Sequence, residues 1–221
     1  MTERASVEPR EVGIETPDGV LPGFFALPAG ARGIVLFAHG SGSSRFSSRN
    51  RYVAEAINAG GLGTLLFDLL TPQEHEVDQY TTEYRFDIDL LTRRLREAVD
   101  WVRAQPETGD LSIGLFGAST GAAAALNVAA ERSDAVSAVV SRGGRPDLAD
   151  RNALAQVQAP TLLIVGGMDG PVIGMNRDAA AAMRPAPQIE IVPGATHLFE
   201  EPGKLEQVAD LARDWFRTHL A

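Results

Sequence analysis

Gly117-Ala118-Ser119-Thr120-Gly121 is the stretch of this sequence whose residue types most directly describe a reaction. It follows a short apolar run, 111–116, and opens an Ala-rich segment of helical character, 119–132. G-x-S-x-G between a strand and a helix makes a nucleophile elbow, a tight turn that needs small residues beside the serine and lifts its hydroxyl off the sheet edge. The same turn aims the first amides of the helix at the reacting atoms. A glycine-rich turn without chemistry is the plainer reading, and the strand–turn–helix context weighs against it.

A serine hydroxyl is a weak nucleophile and needs a base. The chain has four histidines. His219 falls in the last turn of the closing helix, where a helix-dipole or surface role suits it. His75 lies in Gln73-Glu74-His75-Glu76-Val77-Asp78, which reads as a solvated acidic loop rather than a metal site. His39, in Ala38-His39-Gly40-Ser41, reads as a loop-holding residue. His197 follows the last strand in Pro193-Gly194-Ala195-Thr196-His197, and of the three histidines in loops it alone comes after both Ser119 and a plausible acid. A structural histidine is the competing reading there.

The acid must orient the imidazole and stabilise its cation. Asp169 follows the apolar run 161–165 in Gly166-Gly167-Met168-Asp169-Gly170-Pro171, where the alternative is an N-cap for the next helix. An acyl-transfer site also needs an oxyanion hole. The backbone N–H of Thr120 is one expected donor and that of Ser41, in His39-Gly40-Ser41-Gly42-Ser43-Ser44, is the other. Arg142 and Arg145, in Ser141-Arg142-Gly143-Gly144-Arg145, are candidates to clamp a substrate carboxylate, and salt bridges to Asp147 and Asp150 are the alternative.

These residues need a scaffold that places them on one edge. Segments 12–15 and 20–27 flank Pro17-Asp18-Gly19 and predict an antiparallel hairpin. Runs 33–38, 63–67, 111–116, 135–140, 161–165 and 188–192 are short and largely apolar, as expected of strands in a covered parallel sheet. Helices are predicted over 49–59, 86–104, 119–132, 172–183 and 204–220. In 86–104 an apolar stripe runs through Ile88, Leu91, Leu95, Val99 and Val102. Residues 1–10 are polar and expected to fray. The alternation predicts a single-domain α/β fold, 1–221, with a mostly parallel sheet and helices on both faces. Ligands of such sheets gather at the carboxyl ends of the strands, where each candidate residue falls.

Composition narrows the function further. The 221 residues carry 20 Lys and Arg against 29 Asp and Glu, a formal charge of −9. Such a surface repels phosphate backbones and argues against nucleic-acid binding. There is no cysteine, which excludes disulfides, thiolate-held metals and a cysteine nucleophile. No apolar run approaches the ~20 residues of a membrane span. Met1-Thr2-Glu3-Arg4 lacks the apolar core of a secretory signal, so a cytoplasmic protein is expected. The residues carry no signal for an oligomeric state.

His39-Gly40, Gly117–Gly121, Asp169 and His197, in that order, resemble the α/β-hydrolase superfamily. The small size, the absence of a lid between 141 and 161 and the stretch Val35-Leu36-Phe37-Ala38-His39-Gly40-Ser41-Gly42-Ser43 resemble its dienelactone-hydrolase-like branch. The resemblance implies a lidless α/β-hydrolase fold and a Ser119–Asp169–His197 triad. It departs from the dienelactone hydrolases proper in having serine where they carry a cysteine nucleophile, so hydrolysis follows and the lactone substrate does not. The expected activity is cleavage of small carboxylic esters or lactones through an acyl-enzyme, without metal or organic cofactor. A non-catalytic binding module on the same scaffold is the alternative.

Overall fold

The computed structural model describes residues 7–220. Its backbone is one eight-stranded sheet in the order β1-β2-β4-β3-β5-β6-β7-β8. β1 (Arg10–Thr16) and β2 (Gly19–Ala26) form the expected hairpin, with Ile14 opposite Leu21 and both fully buried. β2 also pairs antiparallel with β4 (Gly63–Phe67). From β4 onward every pairing is parallel: β3 (Gly33–Ala38), β5 (Ser112–Ala118), β6 (Val136–Arg142), β7 (Thr161–Gly166) and β8 (Gln188–Val192). Of the tail expected to fray, residues 1–6 lie outside the described residues. Arg10 is already in β1, where it pairs with Glu107 and covers the Phe25 ring.

β3 is buried at all six positions, as a continuous apolar run requires when both faces are covered. On one face lie α3 (Ile88–Ala104) and α4 (Thr120–Glu131), which pack Leu95, Val99, Val102 and Leu126 against Ile113 and Leu115. α4 is buried at ten of its twelve residues. Its alanines are what lets it lie so close to β5. On the other face α1 (Ser48–Ala59) and α7 (Lys204–His219) contribute Val53, Ile57, Val208, Ala212 and Phe216. Gly114 makes room for Phe216: a Cβ there would stand 2.6 Å from its ring. α5 (Arg151–Leu154) and α6 (Gly170–Ala182) complete the chain between β6 and β8. Among the described residues no helix is long and apolar enough to cross a membrane.

One expectation fails. The acidic stretch around His75 is not a loop but α2 (Pro72–Thr81). Thr71 accepts from the Glu74 amide, and Glu74 returns a bond to the Thr71 amide, a reciprocal cap with Pro72 at the first position. Glu74 also pairs at 2.7 Å with Arg94, whose side chain is completely buried on α3. Arg94 reaches Asp18 in the β1–β2 turn at 3.0 Å, so a single guanidinium pins α2 to the hairpin.

The chain leaves β3 for β4 on one side and returns to β5 on the other, so the direction of winding reverses between β3 and β5. A crevice opens at the carboxyl end of such a reversal.

Candidate active site

Ser119 stands at that crevice, between β5 and α4, with φ 50° and ψ −119°. A non-glycine residue held there stores strain of roughly 1–3 kcal/mol. The surroundings impose the turn. The Ser119 amide donates to the Arg142 carbonyl at 3.3 Å, and the Ser119 carbonyl accepts from Ala122 at 3.1 Å and Arg145 at 3.0 Å. The motif's glycines are steric necessities. A Cβ on Gly117 would stand 2.8 Å from the Ala122 amide nitrogen, and one on Gly121 would stand 2.6 Å from the His39 carbonyl. The Ser119 hydroxyl makes no capping bond to α4 and no other hydrogen bond among the described residues.

The loop after β3 lies directly against this turn. A Cβ on Gly40 would meet the Ser119 Cβ at 3.1 Å and the Ala118 carbonyl at 3.2 Å. The backbone N–H groups of Ser41 and Thr120 have no acceptor among the described residues. Thr120 directly follows Ser119, and Ser41 follows Gly40 in the loop packed against it. The far end of the loop is anchored by Asp68, which accepts from the Arg45 amide at 2.6 Å and pairs with its guanidinium.

His39 holds this loop. Its Nδ1–H donates to the Gly40 carbonyl at 3.0 Å, and its Nε2 accepts from the Leu69 amide at 3.1 Å. Both nitrogens are engaged, which fixes the neutral Nδ1–H tautomer. Burial, reinforced by His75, holds its pKa below the ordinary 6.5 against the pull of the Gly40 bond and Asp68. The sign follows. Below pH 6.5 the unfolded chain takes up a proton that the folded chain refuses, so His39 costs stability as pH falls toward its folded value and nothing above 6.5. The melting temperature of the wild type is therefore expected to drop in that acid window more steeply than that of His39→Gln. Parallel melting curves against pH would refute the assignment.

His197 comes from the loop after β8 and Asp169 from the loop after β7. Their Nδ1···Oδ2 distance is 2.7 Å, with the imidazole 37% and the carboxylate 15% exposed. Asp169 occupies the N-cap position of α6, yet its carboxylate makes no capping bond and is given to the histidine instead. The two loops are stitched together by Gly167 N–H to Val192 O at 2.8 Å and Met168 N–H to Ala195 O at 2.9 Å. Gly143, at φ +51°, lies under the ring, and a Cβ there would stand 3.0 Å from the His197 carbonyl. Glu201 clamps the same loop by accepting from the Thr196 amide at 3.1 Å, and a hydrogen bond with the Thr196 side chain is the first cause holding its carboxyl below the usual range.

The two arginines do not make a common clamp. Arg145 turns to Asp147, with bonds of 2.8 and 2.7 Å, which is the salt-bridge alternative. Arg142 is buried and does not share that partner. His219, in the last turn of α7, packs against Trp215 with ring centroids 4.4 Å apart and planes tilted by 56°.

Sequence reasoning missed one wall of the crevice. α2 and the turn after it bring His75, Asp78 and Arg85 against His39, Gly40 and Ser41. Asp78 accepts from the amides of Tyr84 and Arg85 and from Arg85 Nε at 2.6 Å. Burial opposes its charge, but these bonds prevail and hold its carboxyl below the usual range. Thr71-Pro72-Gln73-Glu74, a capping box in plain sight, was the signal for this helix.

Known proteins of similar sequence and fold place the chain in a family. A solved dienelactone hydrolase from Anabaena variabilis is 56% identical, with a TM-score of 0.94 over 97% of this chain and 100% of that one. An esterase of Pyrococcus furiosus shares the fold at 19% identity and TM-score 0.78, over 98% of this chain and 94% of its own. A Mycobacterium tuberculosis protein provisionally named a phosphoribosyl transferase is 54% identical over 213 residues, 96% of this chain and 47% of its own length. The chain thus spans about half the length of that curated relative. The model of the dienelactone hydrolase family matches residues 21–219, from the second strand through all the loops just described to the last helix, and the chain is a member of that family.

Proposed function

We propose that the chain is a serine hydrolase that cleaves small carboxylic esters or lactones through an acyl-enzyme. The observation that carries this reading is the Asp169 carboxylate. It sits at a helix N-cap, where capping is the default, and instead orients His197, whose loop packs on Gly143, the neighbour of the Arg142 carbonyl that holds the strained Ser119 turn. In the proposed reaction Ser119 Oγ attacks the substrate carbonyl carbon while His197 Nε2 takes its proton. The developing oxyanion accepts from the Ser41 and Thr120 amides. As the tetrahedral intermediate collapses, the alkoxide leaves with the proton from His197. Water, deprotonated by His197, then attacks the acyl carbon and frees Ser119. Among the described residues His197 Nε2 makes no hydrogen bond to Ser119, and catalytic bonds of this kind often tighten only in the substrate complex.

A fluorophosphonate probe tests the central claim, because labelling needs an activated serine. Covalent labelling at Ser119 is expected. An unlabelled, folded chain would instead favour a binding module on a hydrolase scaffold. The transferase name belongs to a protein about twice as long, and nothing of that activity is assigned to this chain.

The mouth of the site is open. Met168 and Leu198, beside the acid and the base, are 68% and 38% exposed, and the β6–β7 connection holds only the short 3₁₀ turn Pro146–Leu148 and a four-residue helix. Such a rim covers little of a long acyl chain. Acetate and butyrate esters are expected to be cleaved faster than esters of about twelve carbons, by kcat/KM across a chromogenic series. Preference for the long chains would contradict the open-site reading.

A further inference from the structure

Arg142 ends β6, and only 7% of it is exposed. Side chains alternate along a strand. Ser141 faces α4, where its hydroxyl crowds Gly144. Arg142 therefore shares the opposite face with Val140, which packs in the cluster formed with α1 and α7. Its Nε and Nη1 groups are buried and have no acceptor among the described residues. The charge that acts on it is a second cation, Arg49 in the first turn of α1, whose own Nε is likewise buried without an acceptor. Arg49 spends Nη1 on Glu200 at 2.7 Å. Burial first, and Arg49 second, push the Arg142 guanidinium down to about 10, so it is still charged at neutral pH. An uncompensated buried cation beside another cation is strongly destabilising.

We propose that Arg142 and Arg49 together hold a small inorganic anion, a halide or compact oxyanion, beneath the loop that carries His197. Water would satisfy the donors but not the charge, whereas an anion does both. Arg49 grips Glu200, three residues beyond His197, so the bound anion ties β6 and α1 to the base-carrying loop. The site is independent of whether Ser119 is the nucleophile.

The test exchanges sodium gluconate, a bulky anion, for sodium chloride at constant ionic strength and follows the melting temperature. A rise of about 3–6 °C is expected once chloride exceeds its Kd tenfold, growing further with the logarithm of chloride concentration. Arg142→Met and Arg49→Met should both lose the response. Glu200→Gln removes the ion pair but leaves the donors, and should keep it. Bromide in crystals should give an anomalous peak within hydrogen-bond reach of Arg142 Nε or Nη1. An undiminished chloride response in Arg142→Met, or bromide absent from that place, overturns the proposal. So does a chloride-insensitive wild type in which Arg142→Met raises KM for acidic esters alone, which would assign the donors to a substrate carboxylate. If Arg142→Met does not fold, the half-buried Arg49→Met and the bromide map decide.

Discussion

Ser119→Ala is expected to abolish nearly all ester hydrolysis while leaving the fold intact. Removing a member of a triad typically lowers kcat by a factor on the order of 10⁴–10⁶. The fold should survive because alanine has the same Cβ and therefore meets the same backbone strain at φ 50°. The lost hydroxyl caps nothing, so no buried donor or acceptor is orphaned. The measurement pairs kcat on a short ester with a melting curve. Turnover like that of the wild type in a folded Ser119→Ala protein would sink the whole mechanism.

Asp169→Asn should cost nearly as much, on the order of 10⁴ in kcat, for a different reason. The Asp169 carboxylate only accepts, so it holds the His197 Nδ1 as the donor and leaves Nε2 with a free lone pair for the Ser119 proton. An asparagine can present its NH₂ group instead. Nδ1 then becomes the acceptor, the proton moves to Nε2, and the base faces the serine with the wrong nitrogen. The imidazolium that forms during attack also loses its counter-charge. Stability should change little, because the carboxylate is not the cap of α6. A melting temperature near that of the wild type with a large loss of kcat is the expected pair of results. A loss below tenfold would return Asp169 to a structural role.

The fluorophosphonate experiment and these two variants separate causes that a single assay would merge. Labelling that persists in Asp169→Asn at a much lower rate fits an orienting acid. Labelling at an unchanged rate would mean that His197 is activated by another group, or is not the base.

Local features were legible in the sequence because they are written in local patterns. The runs 33–38 and 63–67 coincide with β3 and β4, since apolar runs between turn residues suit strands of a covered sheet, and 188–192, with Ile189 and Ile191 alternating with polar residues, coincides with the edge strand β8. The elbow was legible because a strand-to-helix turn this tight excludes any side chain at Gly117 and Gly121. The order of Ser119, Asp169 and His197, each just past a strand, followed from the same alternation. α2 carried a local signal too, its capping box, set against a run of acidic residues that also suits a solvated loop.

What the sequence could not determine is which side chains meet across distant segments. Asp169 had two possible partners, the amides of α6 and the imidazole of His197, and each is compatible with its neighbours in the chain. Only the packing of the β7 and β8 loops against each other chose the imidazole. The neutral state of His39 depends on Leu69, brought beside it by the pairing of β3 with β4. Arg142 and Arg145, three residues apart on one glycine-rich loop, looked equivalent. Tertiary structure gave Arg145 a carboxylate at the surface and put Arg142 under α1 beside another arginine. Periodicity and turn chemistry act over a few residues and so are encoded locally. Charge pairing and tautomer state are decided by which surfaces the sheet order brings into contact.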